Sequence, residues 1–302
     1  MQENVSEGCP MKILNYGSVN IDHVYQVDVF VQAGETISAS ACQTHTGGKG
    51  LNQSIALARA GAEVYHGGKI GRDGLALKHF LEQNGVDCRF LTVDEQVATG
   101  HAMIQVVPSG ENCIIIYGGA NAAITHAEID RALAHFTAGD YLLLQNEISN
   151  TEYLITQGHA RGMKVILNPS PITETLLRCP VLHALDWVIL NETEAAAFSG
   201  ETERRACIRK LKNVFPSAGI VLTAGRAGAV CFADGEECFV PAASYGSAVD
   251  TTGAGDTFTG YFFAGIGAGS NIKESMLLAA KASALAVTRK GAAEAIPRRN
   301  EL

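Results

Sequence analysis

Five short apolar runs constrain this chain more than any other feature: Lys12–Asn15 (KILN), Tyr141–Leu144 (YLLL), Lys164–Leu167 (KVIL), Trp187–Leu190 (WVIL) and Ile220–Leu222 (IVL). None alternates with polar residues, so each reads as a strand covered on both faces. Between them, apolar residues recur at three- and four-residue steps in Asn52–Ala60, Leu75–Gln83, Ala127–Phe136, Thr151–Ala160, Arg204–Val214 and Lys273–Arg289. That spacing predicts amphipathic helices. Gly61, Gly85 and Gly162 stand where a left-handed residue would stop such a helix. Strands alternating with helices give a parallel sheet with crossovers, which is the α/β class. At 302 residues, the chain has the length of about two domains, or of one large domain with an insertion. A core of that size needs no disulfide or metal.

Two segments break the rhythm. Val24–Val31 alternates with period two, and Ala102–Tyr117 reads as a hairpin, with AMIQVV and NCIIIY around the turn PSGE. We assign 21–46 and 97–120 to a small inserted β-sheet, and 11–20, 47–96 and 121–302 to the main α/β domain. The insertion is either a lid that closes over a site or an edge extension. Residues 1–10 read as a loose N-terminal extension ahead of Met11.

Charge and composition exclude several classes. Lys and Arg number 23 against 31 Asp and Glu, a net charge of −8. Without a basic run, this argues against a nucleic-acid partner. No apolar run reaches the ~18 residues of a membrane span, and the polar N-terminus does not read as a secretory signal, so we expect neither. None of the eight cysteines forms a C-x-x-C pair, so we expect reduced thiols and a cytoplasmic location.

Polar residues follow the buried strands: Asn20 and Asp22, then Glu147, Asn168, Asn191 and Thr223. Ligands of open α/β sheets bind outside the carboxyl ends of the strands. Any one of these residues also suits a cap or turn. Together they point to one crevice.

Four motifs carry candidate chemistry. In Asp250–Gly260 (DTTGAGDTFTG) the turn Gly253-Ala254-Gly255 leads into a helix expected over Asp256–Gly267. Its backbone N–H groups and the helix dipole make an anion hole. Asp256 would repel a bound phosphate, but it makes sense as a general base taking a proton from an attacking hydroxyl. A first-turn Asp is also an ordinary helix feature. Thr46–Ser54 (TGGKGLNQS) is neither a Walker A loop nor G-x-G-x-x-G. Gly47, Gly48 and Gly50 would let a ligand press against backbone, with Asn52 facing it; a plain strand–helix turn is the other reading. In Gly17–Asp22 (GSVNID), Asn20 and Asp22 point the same way if the segment is extended. An amide beside a carboxylate suits vicinal hydroxyls, though both residues also form turns. Asn191 and Glu194 share a helix face. Glu194 would hold Mg²⁺ through water, or simply favour a helix N-terminus. No H-E-x-x-H, G-x-S-x-G or Cys/His metal spacing occurs.

These blocks together resemble the ribokinase branch of the PfkB carbohydrate kinase family, from about Lys12 to Pro297. The resemblance rests on GGKGLNQSIALARAGA and DTTGAGDTFTGYF, with GSVNIDH and NETEAAAF in agreement. It implies a Rossmann-like parallel-sheet sandwich and a β-sheet lid through which a homodimer forms. It implies transfer of the γ-phosphate of MgATP to the primary hydroxyl of a sugar. D-Ribose, giving ribose 5-phosphate, leads the candidates; deoxyribose, a ketohexose or a nucleoside follow, and a non-catalytic sugar-binding regulator is the remaining reading. The resemblance matches Asp256 to the catalytic base and Gly253, Ala254 and Gly255 to the anion hole. Asn20, Asp22, Gly48, Lys49, Asn52 and Glu147 match sugar-binding positions. Asn191 and the turn from Thr223 through Gly225 to Gly228 match nucleotide positions, and Glu194 the Mg²⁺-associated acid. A monovalent cation, usually K⁺, would use Asp250, Thr252, Ala286, Arg289 and Gly291. Three departures stand out. Ala295 replaces a frequent Ser of the cation loop, Leu51 replaces a smaller Ala expected beside the sugar pocket, and Ala280 and Lys281 offer adenine no polar contact.

Overall fold

The structure is a computed structural model that describes residues 11–302; the expected extension 1–10, with Cys9, lies outside the described residues. The chain begins with β1 (Ile13–Tyr16), β2 (Asn20–Gln26), β3 (Ala41–Gly47), α1 (Lys49–Ala60), β4 (Val64–Gly71), α2 (Leu75–Gln83) and β5 (Asp87–Asp94). The hairpin β6 (Gly100–Val106) and β7 (Asn112–Tyr117) follows, then α3 (His126–Leu133), β8 (Tyr141–Gln145), α4 (Thr151–Ala160), β9 (Lys164–Asn168) and a short α5 (Glu174–Leu177). Next come β10 (Trp187–Asn191), α6 (Glu192–Ser199), α7 (Arg204–Val214), β11 (Gly219–Thr223), β12 (Ala229–Ala233) and β13 (Glu236–Val240). Two long helices, α8 (Ala254–Gly267) and α9 (Ile272–Ala286), end the fold.

Nine strands form one sheet in the order β13-β12-β11-β10-β9-β8-β1-β4-β5. It is parallel except where β12 pairs with β11 and β13. The five apolar runs are its centre, β1 and β8 to β11. Their side chains alternate between two cores, as a strand's period of two requires. Ile13, Leu143, Ile166, Ile189 and Val221 pack with α1, α2, α8 and α9. Leu14, Leu142, Leu144, Leu167 and Leu190 pack on the other face with α3, α4, α6 and α7. Each run looked uniformly apolar because helices cover both sides.

The strand order reverses direction at β1. The chain runs from β1 to β4 and β5 one way, and from β8 to β11 the other. This switch point places the loops after β1 and β8 beside one crevice.

A second sheet, β3-β2-β6-β7, grows from the crevice edge. Asn20 and Gly47, facing each other in the β2–β3 register, already belong to it. The period-two alternation read over Val24–Val31 stops at Gln26, and the chain leaves the sheet after Val27 N bonds Val106 O. Met103, Ile114, Ile115, Ile116 and Tyr117 are exposed on this sheet.

Helix α8 packs directly on α1. Gly260 makes this possible: a Cβ there would collide with the Ala56 Cβ and lie 2.8 Å from the Leu57 backbone nitrogen. Overpacking of this kind costs about 1–3 kcal/mol. Gly260→Ala is therefore expected to lower the urea midpoint by that amount of stability.

Candidate functional site

Asp256 sits in the first turn of α8, 7% exposed. Gly253 caps the helix with φ +72, a left-handed value that suits Gly. The first N–H groups of the helix have no intrahelical acceptor and point outward, beside a positive dipole end. The Asp256 carboxylate is gripped from α1. Asn52 Nδ2 donates to Oδ2 at 2.9 Å and Gln53 Nε2 donates to Oδ1 at 2.8 Å. Asn52 Oδ1 has no partner among the described residues.

Lys49, at the start of α1, lies in the same field. The Asp256 charge, followed by those of Glu147 and Glu194, holds its ammonium above the ordinary value, against burial. Glu147, from the loop after β8, ties the start of α1 down. Its Oε2 accepts from the Lys49 backbone N–H at 3.1 Å and from the Ser18 hydroxyl. Burial pushes the Glu147 carboxyl up, and Lys49 opposes this.

Asn20 and Asp22 project from β2. The Asn20 Oδ1 accepts from Asn121 Nδ2 at 2.7 Å, and Asn121 is itself fixed by the Val19 N–H. Asn20 is thus left with its amide Nδ2 as the free group, a donor. Asp22 occupies space that a Cβ on Gly47 would need. Burial, then the Glu147 charge, pushes the Asp22 carboxyl up to about 6. Gly48 (φ +93) turns the chain from β3 into α1 against the Ser18 carbonyl.

Two joined cavities lie beyond Asp256. One of 230 Å³ is lined by Lys49, Asn191, Glu194, Thr223, Asp256 and the Gly253–Gly255 turn. The other, 300 Å³ and largely apolar, is lined by Gly225, Gly228, Phe258, Ala280, Ser283 and Val287. They share Thr223, Thr251, Ala254 and Gly255. Gly228 (φ +96) has no room for a Cβ beneath the Val240 carbonyl, and its own carbonyl closes the turn on Ala224 N at 2.9 Å. Ala280 lines the apolar cavity, whereas Lys281 is exposed and does not.

Asn191 and Glu194 form a capping box at the start of α6, each side chain bonding the other's backbone N–H at 2.9 Å. The ordinary helix-end role is therefore real. Glu194 also lines the polar cavity, and one carboxylate beside phosphate oxygens and water is a donor set Mg²⁺ accepts.

The cation candidates gather behind Gly253. Asp250 Oδ1 accepts from Thr252 N (2.9 Å) and Oγ1 (2.7 Å), and Oδ2 from Gly291 N (3.0 Å). Burial opposes ionisation there, but these bonds hold the Asp250 carboxyl below its usual range. Val287 O takes the Asp250 N–H, and Ala286 O takes the Arg289 N–H. The Arg289 guanidinium turns away to Glu301 at 2.6 Å, so only its backbone is available. A carboxylate among backbone carbonyls suits a monovalent cation. Ala295 is buried and adds no side-chain oxygen.

One expectation is corrected. Leu51 does not border the crevice; it is 0% exposed and belongs to the core beneath α1. Facing the sheet, it packs with the interior while Lys49 and Asn52 face the crevice. Sequence reasoning also missed Ser18, Gln53, Asn121 and Gln145. Ser18 and Gln53 lay inside recognised motifs; nothing local distinguished Asn121 or Gln145.

Comparison with known proteins places the chain among relatives of known family and fold. The model of the pfkB family carbohydrate kinases matches residues 11–299. Ribokinase of Haemophilus influenzae is 35% identical over 293 residues, covering 94% of this chain and 95% of that protein. The crystal structure of ribokinase from Cryptococcus neoformans var. grubii serotype A in complex with ADP gives a TM-score of 0.85 at 34% identity, over 96% of this chain and 98% of that one. Arabidopsis thaliana ribokinase complexed with ribose and ATP gives 0.85 at 28% identity, over 97% of both chains.

Proposed function

The chain belongs to the pfkB family of carbohydrate kinases, and from this premise we propose that it transfers the γ-phosphate of ATP to the primary hydroxyl of D-ribose. The observation that carries the reading is Asp256, held between a hydroxyl-binding crevice on one side and a joined polar-and-apolar cavity on the other.

The sugar lies over α1, between Asn20, Asp22, Gly48, Lys49, Asn52 and Glu147. The Asn20 amide donates to one hydroxyl while the Asp22 carboxylate accepts from its neighbours. Adenine takes the apolar cavity beside Phe258 and Ala280, with little polar readout. The triphosphate crosses the polar cavity past Asn191, Thr223 and the turn 225–228. Its γ-phosphate meets the amides of Gly253, Ala254 and Gly255. Asp256 takes the hydroxyl proton as the sugar oxygen bonds to the γ-phosphorus. The bond from that phosphorus to the bridging oxygen breaks, and its electron pair leaves with ADP. Lys49 and the helix N-terminus meet the charge that develops, and their fixed placement is where most of the catalysis resides.

Glu194 would hold Mg²⁺ on the phosphates, where the ion would neutralise charge. Asp250 and the carbonyls near Ala286 and Gly291 would hold K⁺ with Thr252, and so brace the anion-hole turn. The free thiols of all seven described cysteines suit a cytoplasmic location. The second sheet acts as the lid, and one apolar face of it, with Met103, Ile115 and Tyr117, is where a second copy docks. Light scattering is expected to show a dimer, and Ile115→Asp a monomer.

The ionised Asp22 is the form that accepts hydroxyl protons. Its carboxyl sits near 6 in the free protein, so sugar kcat/KM should rise with pH through about 6 and then level. Asp22→Asn should lose that limb. A wild-type profile flat from pH 5 to 7.5 would contradict the assignment. The reading as a whole is tested by adding D-ribose to protein and MgATP and following ADP release.

A further inference from the structure

The grip on Asp256 reaches deeper than α1. Behind Gln53 lie Gln145 on β8 and Asn15 on β1, all three 0% exposed. Their orientations follow from one backbone carbonyl. Gly50 O can only accept, so Asn15 turns Nδ2 toward it at 2.7 Å, and that group also meets Ser54 Oγ at 2.8 Å. Asn15 Oδ1 then faces Gln145, which must answer with Nε2, at 2.9 Å. The same Nε2 donates to Gln53 Oε1 at 2.7 Å. A reversed Gln145 would set its oxygen against two acceptors at once. With its oxygen committed to Gln145, Gln53 can present only Nε2 to Asp256 Oδ1, at 2.8 Å.

The network is not arranged for its own satisfaction. Gln145 donates twice and leaves its own Oε1 buried without a partner among the described residues. Unpaired buried carbonyls are costly and rare in cores. The arrangement delivers one directed N–H to the carboxylate of the base, at a place no solvent can reorganise.

Resting on the kinase reading above, we propose that Gln53, oriented by Gln145 and Asn15, is a positioning residue for phosphoryl transfer that ties back Asp256 Oδ1 and leaves Oδ2 to receive the sugar proton. Oδ2 carries one bond from Asn52 and keeps a lone pair for the hydroxyl. Misplacing a reacting group by about 1 Å costs on the order of 100-fold in rate.

The test uses the full chain with MgATP and D-ribose. Gln53→Met keeps the volume and removes the N–H. It should lower kcat by about 100-fold while sugar KM stays within about threefold. Gln145→Met, which frees Gln53 to turn, should lower kcat less, also at constant KM. Because Gln145 acts through Gln53, the double variant should match Gln53→Met within about twofold. A purely packing role predicts rescue by the equal-sized Met, and that result would overturn the proposal. So would losses that multiply in the double variant, or a sugar KM that rises in step with the fall in kcat. Crystal structures of wild type and Gln53→Met add a readout independent of substrate. The Asp256 carboxylate should hold one rotamer in wild type and turn in the variant; an unmoved carboxylate would contradict the role. Should the wild type fail to phosphorylate ribose, the substrate reading falls, and the Asp256 rotamer still decides the role of Gln53.

Discussion

Replacing Asp256 by Asn should leave folding intact and lower kcat by about 10²- to 10⁴-fold, the range supplied by a positioned general base. The substitution keeps size and burial, and one of Asn52 and Gln53 can still donate to its remaining oxygen. It removes the group that takes the hydroxyl proton. It also faces one of the two gripping amides with an NH₂, so alignment suffers as well. Sugar and ATP should still bind, because neither crevice depends on the carboxylate for its shape. Steady-state kinetics with calorimetry of each ligand checks this. Turnover near wild type would remove Asp256 from the chemistry.

The second large effect belongs to β2. Asp22→Ala should raise sugar KM by about 10- to 100-fold, the equivalent of one or two charge-assisted hydrogen bonds. The KM for ATP should hardly change, since Asp22 lies on the second sheet and lines neither cavity beyond Asp256. Asn20→Ala should act in the same direction and more weakly, because it removes a neutral donor. Equal losses for sugar and nucleotide would mean that β2 shapes the whole cleft rather than one ligand's place in it.

The parts of the fold legible in sequence were those where one physical demand dominates. β1 and β8 to β11 are covered on both faces, so no other residue type would serve. β4 was not legible. Its VYHGGKIG carries Gly67 where a Cβ would press on the Tyr16 ring, so its composition answers to a neighbour on β1 rather than to strand propensity. β13 is an exposed edge strand, and its EECFV begins with two charges, as such edges often do. The site divides in the same way. Glycine-rich turns and the strand-end polar residues are local and visible. The contacts that orient them are not. Asn121 meets Asn20 across 101 positions and Gln145 meets Gln53 across 92, distances over which one sequence carries no pairing signal. Leu51 shows the converse error: a neighbour of binding residues in sequence faces the opposite side of a helix in space.

The measurement that bears most directly on the central claim is ADP release from MgATP on addition of D-ribose, with Asp256→Asn run alongside and the product identified by NMR. The expected result is saturable, ribose-dependent ADP release that is lost in the variant, with the new phosphate on the primary hydroxyl. Activity on deoxyribose or a ketohexose but not ribose would keep the chemistry and overturn the substrate. Absence of sugar-dependent ADP release from all of these, with ribose still bound, would contradict the account.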